Sequence, residues 1–464
     1  MTDVASPSAD IESLRAVLEG QLVGPQDVDY DEARKIWNGM LDRHPAAVAR
    51  CASVSDVVAA VNFARRHGLP LAIRCGGHST PGYSTCDAGL VIDLRPMNRV
   101  TVDPQARTAR VQGGALWGEF DAATQEHGLA VTGGRVSSTG VGGLALGSGS
   151  GWLERVYGVT CDSLISAEVV TAAGQVVTAS ADENPDLLWG LRGGGGNFGV
   201  VTEFEFRLHP VGPIVAGGLL AYPRAQATEV IRAYRDYMTD APDELGGGVA
   251  LLTAPPEPFV PTDAQGQPAV AIVYCYAGDV ERGMELAAPL RAIGTPTVDM
   301  IQPMPYVAVQ SMLDGGMPRG IREYFKVDYL TELSDQAIDV IVQQGDGLPA
   351  PFGQLILGPM GGVLDRRDSS SMALELPRQP WLFFCLSLWM DPAEDEQNTA
   401  WARGYAQAMR PFGVDQAPPN FIALDEPSSR LRSSFGEEKY ATLVELKRRW
   451  DPDNLFRLNQ NIVV

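Results

Sequence analysis

The stretch Arg74-Cys75-Gly76-Gly77-His78-Ser79-Thr80 decides how the rest of the chain is read. It follows an apolar run, Leu71-Ala72-Ile73, that predicts a strand. Paired glycines let a backbone turn sharply and present its N–H groups, which suits a phosphate or pyrophosphate. His78 then stands where such a loop would hold a cofactor. Taken alone, the loop favours a glycine turn carrying a solvated histidine. The surroundings have to choose.

Upstream, residues 11–20 predict a short amphipathic helix and residues 45–50 a strand. A helix follows, with Ser55 as its cap, Val57, Val61 and Ala64 on one face and Gly68 at its end. This is a strand–helix–strand unit with the His78 loop at the carboxyl end of its second strand, where α/β layers hold ligands. Downstream, strands are expected at 90–94, 99–102 and 108–112. A second glycine run spans residues 133–151, too glycine-dense for a regular helix or strand. Its Val141, Leu144 and Leu146, with Trp152 beyond, need burial, which argues against a solvated linker. Strands near 167–171 and 175–179 are joined by a turn at Gly174. A third glycine cluster, Gly193-Gly194-Gly195-Gly196-Asn197-Phe198-Gly199, runs into a strand at 202–208. Gly212-Pro213 reads as a domain boundary.

From 214 to 416 the character changes. Amphipathic helices (225–238, 280–293, 334–344, 395–409) alternate with apolar strands (248–252, 270–276, 353–358, 381–388). This reads as a separate α+β substrate domain with a sheet as one wall. Residues 417–464 return to motif-like density, with a helix carrying Tyr440, Leu443, Leu446 and Trp450, then an asparagine-rich end, Asn459-Gln460-Asn461.

The bulk properties narrow the function. A net charge of −21 over 464 residues argues against nucleic-acid or anionic-membrane partners. Residues 1–10 lack a signal-peptide pattern, and no apolar run is long enough to span a membrane. The 6 cysteines are scattered without a CxxC pair and read as reduced thiols, so a cytoplasmic location is expected. A Cys75–Cys86 disulfide is conceivable but disfavoured. His44, His67, His127 and His209 sit in ordinary turn or helix-end contexts and read as structural or exposed. No His or Cys spacing suggests a metal.

The three glycine clusters, the His78 loop and the tail together resemble the FAD-linked oxidases of the vanillyl-alcohol-oxidase superfamily, more narrowly the berberine-bridge-enzyme-like group. The resemblance implies an α+β, two-domain PCMH-type FAD-binding fold with a central substrate domain, an antiparallel sheet covered by helices. Residues 1–213 would form the FAD-binding domain, 214–416 the substrate domain, and 417–464 the segment that completes the FAD domain. His78 would be bonded to the flavin 8α position. Arg74, Gly76, Gly77 and Ser79 would cradle the pyrophosphate, with Gly82 close by. Ser138, Thr139, Gly142, Gly143 and Leu144 would run past pyrophosphate and ring, with Gly147, Gly149, Trp152, Tyr157 and Gly158 nearby. Val200 would pack by the adenine, and Asn459 and Asn461 would approach the polar edge of the ring.

Many members of this group carry a second flavin bond, from a cysteine four residues before the first glycine of a Gly-Val-Gly-Gly run. That run starts at Gly140 here, so the position is Val136, and a singly attached flavin is expected. In several relatives a Tyr-x-Asn triplet supplies a catalytic tyrosine. The matching Pro418-Pro419-Asn420 keeps Asn420 and replaces the tyrosine by Pro418. The base is then sought in Arg322-Glu323-Tyr324-Phe325-Lys326-Val327-Asp328-Tyr329, whose alternation puts Tyr324, Lys326 and Asp328 on one strand face. That face reads either as catalytic, through Tyr324 or Lys326, or as a solvated strand face.

A flavin accepts hydride from a C–H bond while the protein supplies position and electrostatics. The expected activity is oxidation of an alcohol or activated C–H of a small organic, specialised-metabolite substrate, with O2 as acceptor and H2O2 as product. The alternatives are a polyketide-tailoring flavin oxygenase, to whose enterocin-type members residues 29–39 and 455–462 are similar, and a flavin-loaded binding protein without turnover. Sugar oxidation is disfavoured by Val136.

Overall fold

The computed structural model describes residues 7–349, 351–375 and 378–464, so residues 1–6 of the leading stretch lie outside the described residues. The unit around the His78 loop is a four-stranded sheet. Its strands Ala47–Arg50 and Leu71–Arg74 run parallel to Leu90–Asp93 on either side, and Gln21–Val23 closes one edge antiparallel. Parallel strands need a crossover, which the helix Val54–His67 supplies. Its Val57, Ala60, Val61 and Ala64 pack on Leu71, Leu90 and Ile92. Ser53, two residues before the expected cap, accepts from the Asp56 N–H, and Gly68 ends the helix at φ +63°. Asp56 is itself buried and accepts the N–H groups of Glu19, Gly20 and Ala52, which fixes the helix start.

A second, antiparallel sheet has the order Val100–Asp103, Thr108–Gln112, Val200–Arg207, Leu164–Val170, Val176–Ala179. The second glycine run lies against it and differs from expectation: residues Val141–Gly147 form a short helix. Glycines are poor helix formers, but Val141 and Ala145 bury one side of this segment completely and hold it.

Residues 214–389 make an eight-stranded antiparallel sheet. Its backbone order is Ile214–Pro223, Pro268–Tyr276, Leu245–Thr253, Gln354–Pro359, Trp381–Trp389, Arg322–Leu330, with two short strands at the outer edge. Every residue of Trp381–Trp389 is buried, because the sheet is covered on both faces. Leu382, Phe384, Leu386 and Leu388 join the core shared with the glycine-rich half. Trp381, Phe383 and Cys385 join a second core under the helices Ala227–Met238, Asp335–Gly345 and Asp395–Met409. The strand Ile214–Pro223 is not legible in the sequence pattern: its Gly217-Gly218 pair reads as a break, yet both glycines let neighbouring chain approach closely.

The tail docks back on the first half. Lys447, fully buried, donates to the Asn197 carbonyl (2.9 Å), the Phe456 carbonyl (2.9 Å) and Asp451 (2.7 Å). Asn197 in turn donates to the Gln460 carbonyl and accepts the Ile462 N–H. Among the described residues no helix is long and apolar enough to cross a membrane, and no His, Cys, Asp and Glu side chains cluster as a metal site. All six cysteines are free and buried, Cys75 and Cys86 included.

Candidate active site

One cavity of about 1280 Å³ opens between the glycine-rich half and the central sheet. It exceeds the usual small-molecule pocket of roughly 300–1,000 Å³, leaving room for a large cofactor and a second molecule. One wall is the His78 loop with all three glycine clusters. Gly77 turns at φ +79°, which a side chain would resist. A Cβ on Gly76 would lie 2.3 Å from the Gly140 main-chain nitrogen, so the first two clusters touch backbone to backbone. Gly143 and Gly196, by contrast, have nothing within 4 Å of where a Cβ would point, and both line the cavity.

His78 is partly buried at one end of this wall. Its ring stacks on Trp37 (centroids 3.9 Å apart, planes at 22°), and Nε2 lies 3.1 Å from Ser138 Oγ. Burial pushes its pKa down to about 4, so the imidazole is neutral, with a free lone pair, throughout the physiological range. Trp37 belongs to a strap, residues 37–39, that joins three parts. The Trp37 N–H donates to the Gly77 carbonyl (3.1 Å), and Gly39 donates to Ile321 (2.8 Å). Between them, Asn38 Nδ2 donates to the carbonyls of Thr80 (3.0 Å) and Glu323 (3.1 Å).

The opposite wall is the sheet. Glu323 and Phe325 project into the cavity from Arg322–Leu330, with Phe384 and Leu386 from the neighbouring strand and Ile356 beyond. Glu323 is 3% exposed; Thr80 donates to its carboxyl, while Oε1 has no partner. Burial raises its pKa to about 8. Past Ile356 the wall continues over small and aliphatic side chains, among them Leu219, Ala221, Ala250, Leu252 and Ala271, to the 254–268 loop.

Of the residues singled out in the sequence, Gly76, Gly77, His78, Ser79, Thr139, Gly142, Gly143, Leu144, Gly147, Trp152, Val200, Asn420 and Asn459 line this cavity. Ser138 reaches it through His78. Arg74 does not: its guanidinium is 1% exposed and paired with Asp93 at 2.8 Å. Gly82 packs on Leu41, Gly149 on Thr160 and Gly158 on Asp162, behind the wall. Tyr157 stacks on His209 (4.0 Å), away from the lining. Asn461 is set back, its buried Oδ1 without a partner.

The alternation at 322–329 is present, but its two faces are distributed otherwise than the search for a base supposes. Tyr324 and Lys326 lie on the face away from the cavity. Tyr324 donates to Asp425 (2.8 Å) and accepts from Arg403 (3.2 Å), and Lys326 donates to Glu426 (2.8 Å). Asp328, on the same face, accepts the Gln416 N–H (3.0 Å). The titratable residue that this strand turns toward the cavity is Glu323. Alternation signals two faces; nothing in the pattern says which one meets the cavity. Asn420 does face it, donating to the Leu144 carbonyl at 3.1 Å.

The residues present fit a flat polar cofactor. Gly143 and Gly196 leave open a strip that side chains would fill, and the buried oxygens of Asn459 and Asn461 lack donors. Family comparison agrees. Residues 45–180 match an FAD binding domain, and residues 419–463 match the berberine and berberine-like family. The chain is 31% identical over 483 residues to an FAD-linked oxidoreductase, pgmH, of Aspergillus terreus, covering 96% of this chain and 94% of that one. It is 29% identical over 470 residues to (R)-6-hydroxynicotine oxidase of Paenarthrobacter nicotinovorans, covering 96% and 97%. The crystal structure of 6-hydroxy-D-nicotine oxidase from Arthrobacter nicotinovorans superposes with a TM-score of 0.85 at 27% identity, covering 96% and 98%.

Proposed function

The chain belongs to the berberine-bridge-like FAD-linked oxidoreductases, and from that premise we propose that it carries FAD bonded to His78 and oxidises an apolar organic substrate at an alcohol or activated C–H. The observation that carries the reading is one shared cavity, with a glycine wall holding a neutral imidazole and a facing wall of apolar side chains. FAD, when bound, supplies the hydride acceptor and passes electrons to dioxygen, giving hydrogen peroxide. The glycines of residues 76–77, 142–143 and 194–196 bring main chain close to the cofactor, and Asn459 offers its free Oδ1 as an acceptor to the polar edge, with Asn461 set back behind it. His78 holds it at one end; Val136, where other members place a cysteine, provides no second bond. The 417–464 segment belongs with the FAD-binding half, held there by Lys447 and Asn197.

Phe325, Phe384, Leu386 and Ile356 then shape the substrate space, and Asn420 presents its amide to it from the 419–421 turn. The long aliphatic floor suits an extended apolar body better than a sugar, whose hydroxyls would find few partners there. Acid precipitation of the purified protein tests the tether: the flavin is expected in the pellet, and in the supernatant for His78→Ala. Yellow colour in the wild-type supernatant refutes it. Substrate-dependent peroxide release supports the oxidase, and labelled oxygen in the product would assign an oxygenase instead.

A further inference from the structure

Glu323 is the most secluded carboxyl of the cavity, and its place beside the His78 loop gives it a task. Thr80, two residues past His78, donates to the Glu323 carboxyl. Asn38 fastens the main chain of Thr80 to that of Glu323, and the adjacent Trp37 stacks on the His78 ring. Imidazole and carboxyl are therefore held by two neighbouring residues of one strap, Trp37 and Asn38, and open into the same cavity. The carboxyl is 3% exposed, with Oε1 buried and unpartnered. Burying such a group without a partner costs a few kcal/mol, so its persistence calls for a use.

We propose that Glu323 is the base for attachment of the flavin, taking a proton from the 8α-methyl group while His78 forms the bond to that carbon. This rests on the reading of His78 as the tether. A C–H bond of the methyl breaks: the proton goes to the Glu323 carboxylate and the electron pair into the ring. The imidazole lone pair forms the new C–N bond, and the imidazole gives up its N–H proton. The ring is left reduced by two electrons. Dioxygen takes that pair and the two released protons, leaving as hydrogen peroxide, and Glu323 returns to its starting state. A general base has to lie within reach of its proton and be ionised when it acts; the strap holds the carboxyl beside the His78 loop, and ionisation sets in near pH 8.

The neighbouring titratable groups are few. The loop carries His78, which titrates near 4, and Tyr83. Glu32 and Lys35, ahead of the strap, pair with each other at the surface. On the strand itself, Arg322 is engaged by Asp395 and Tyr324 by Asp425 on the other face. Across the ladder stands Leu388.

The test uses full-length apoprotein made under riboflavin starvation, mixed with FAD in air, precipitated with acid at intervals and read as flavin fluorescence in the washed pellet. In the wild type the rate of covalent incorporation is expected to rise about tenfold per pH unit below 8 and level off above. Glu323→Gln is expected to be at least about tenfold slower with no rise near 8, while holding FAD non-covalently within about threefold of wild type; Glu323→Asp recovers part of the rate. Incorporation by Glu323→Gln within about twofold of wild type overturns the proposal and leaves the tether standing. Should that variant fail to fold, a wild-type rate flat from pH 6 to pH 9 overturns it equally. A wild-type pellet without fluorescence removes the tether itself, and a fluorescent His78→Ala pellet moves it elsewhere.

Discussion

Where residues 76–200 face the cavity, the wall is mostly main chain; where residues 219–273 and 323–386 face it, the wall is the side-chain surface of one sheet. The first wall is intolerant because backbone has nowhere to go. The second is tolerant in shape and exacting in parity: which of two alternating sets it shows decides whether the cavity receives Glu323 or Lys326. A cofactor shared by a family is held by a surface with little chemical variety, and the substrate by a surface that substitution reshapes readily.

The sharpest way to break this contrast is Gly76→Ala. The added methyl meets the Gly140 nitrogen and the Ser138 carbonyl, both main chain, and is expected to cost roughly 3–5 kcal/mol in urea unfolding. A loss under about 1 kcal/mol would show that the wall yields. Next comes Lys447→Met, which leaves Asp451 buried beside Asn197 and the tail; a loss of about 3 kcal/mol is expected by the same measurement, with weaker FAD retention.

The third prediction concerns pH. The folded pKa of Glu323, about 8, lies above the ordinary 4.5, so the native state holds the proton longer than the unfolded chain does. Its contribution is full below about 4.5 and is lost as pH rises to 8. His78 acts oppositely: its value near 4 lies below the ordinary 6.5, so its contribution is present above 6.5 and lost as pH falls to 4. Between pH 6.5 and 8 apoprotein carrying Glu323→Gln should therefore gain about 2 kcal/mol on the wild type. Parallel stability curves for the two proteins would place the Glu323 titration elsewhere.

Gly143→Ala sharpens the contrast from within the glycine wall. Nothing meets its methyl in the apoprotein, and alanine is the better helix former, so the apoprotein should gain about 0.5–1 kcal/mol. FAD affinity should fall by about tenfold, since the methyl occupies the open strip. The smallest effect is expected at Tyr324→Phe. It removes the hydroxyl that donates to Asp425 and accepts from Arg403, which still engage each other, and should cost about 0.5–1 kcal/mol while leaving flavin incorporation unchanged. A strong loss of incorporation would mean that the two faces of this strand are coupled.

What could be read ahead of the structure follows from the same contrast. Glycine density is a local property, so the His78 loop and the clusters at 133–151 and 193–199 stand out in the sequence. Long amphipathic helices are equally local, and Asp395–Met409 falls where its pattern predicts. The helix Val141–Gly147 hides because its stability comes from the burial of Val141 and Ala145, not from propensity. Arg74 is a cation in a phosphate-like loop by sequence and the buried partner of Asp93 in space, a pairing across 19 positions that no local pattern announces. Glu323 differs from Lys326 in the face of the strand it takes: one lines the cavity, the other meets Glu426 on the far side, and the sequence pattern is the same for both. Lys447 and Asn197 lie 250 positions apart.

That last contact has a consequence for how the cavity is completed. Asn197 sits at the end of the third glycine cluster, and the groups that satisfy it are the main chain of residues 460 and 462 and the ammonium of Lys447. Within its own cluster Asn197 has only the Gly194 carbonyl as a side-chain partner, and its other partners come from residues 447–462. The glycine wall lies within residues 76–199, yet Asn197 completes its hydrogen bonds only where residues 447–462 dock on it.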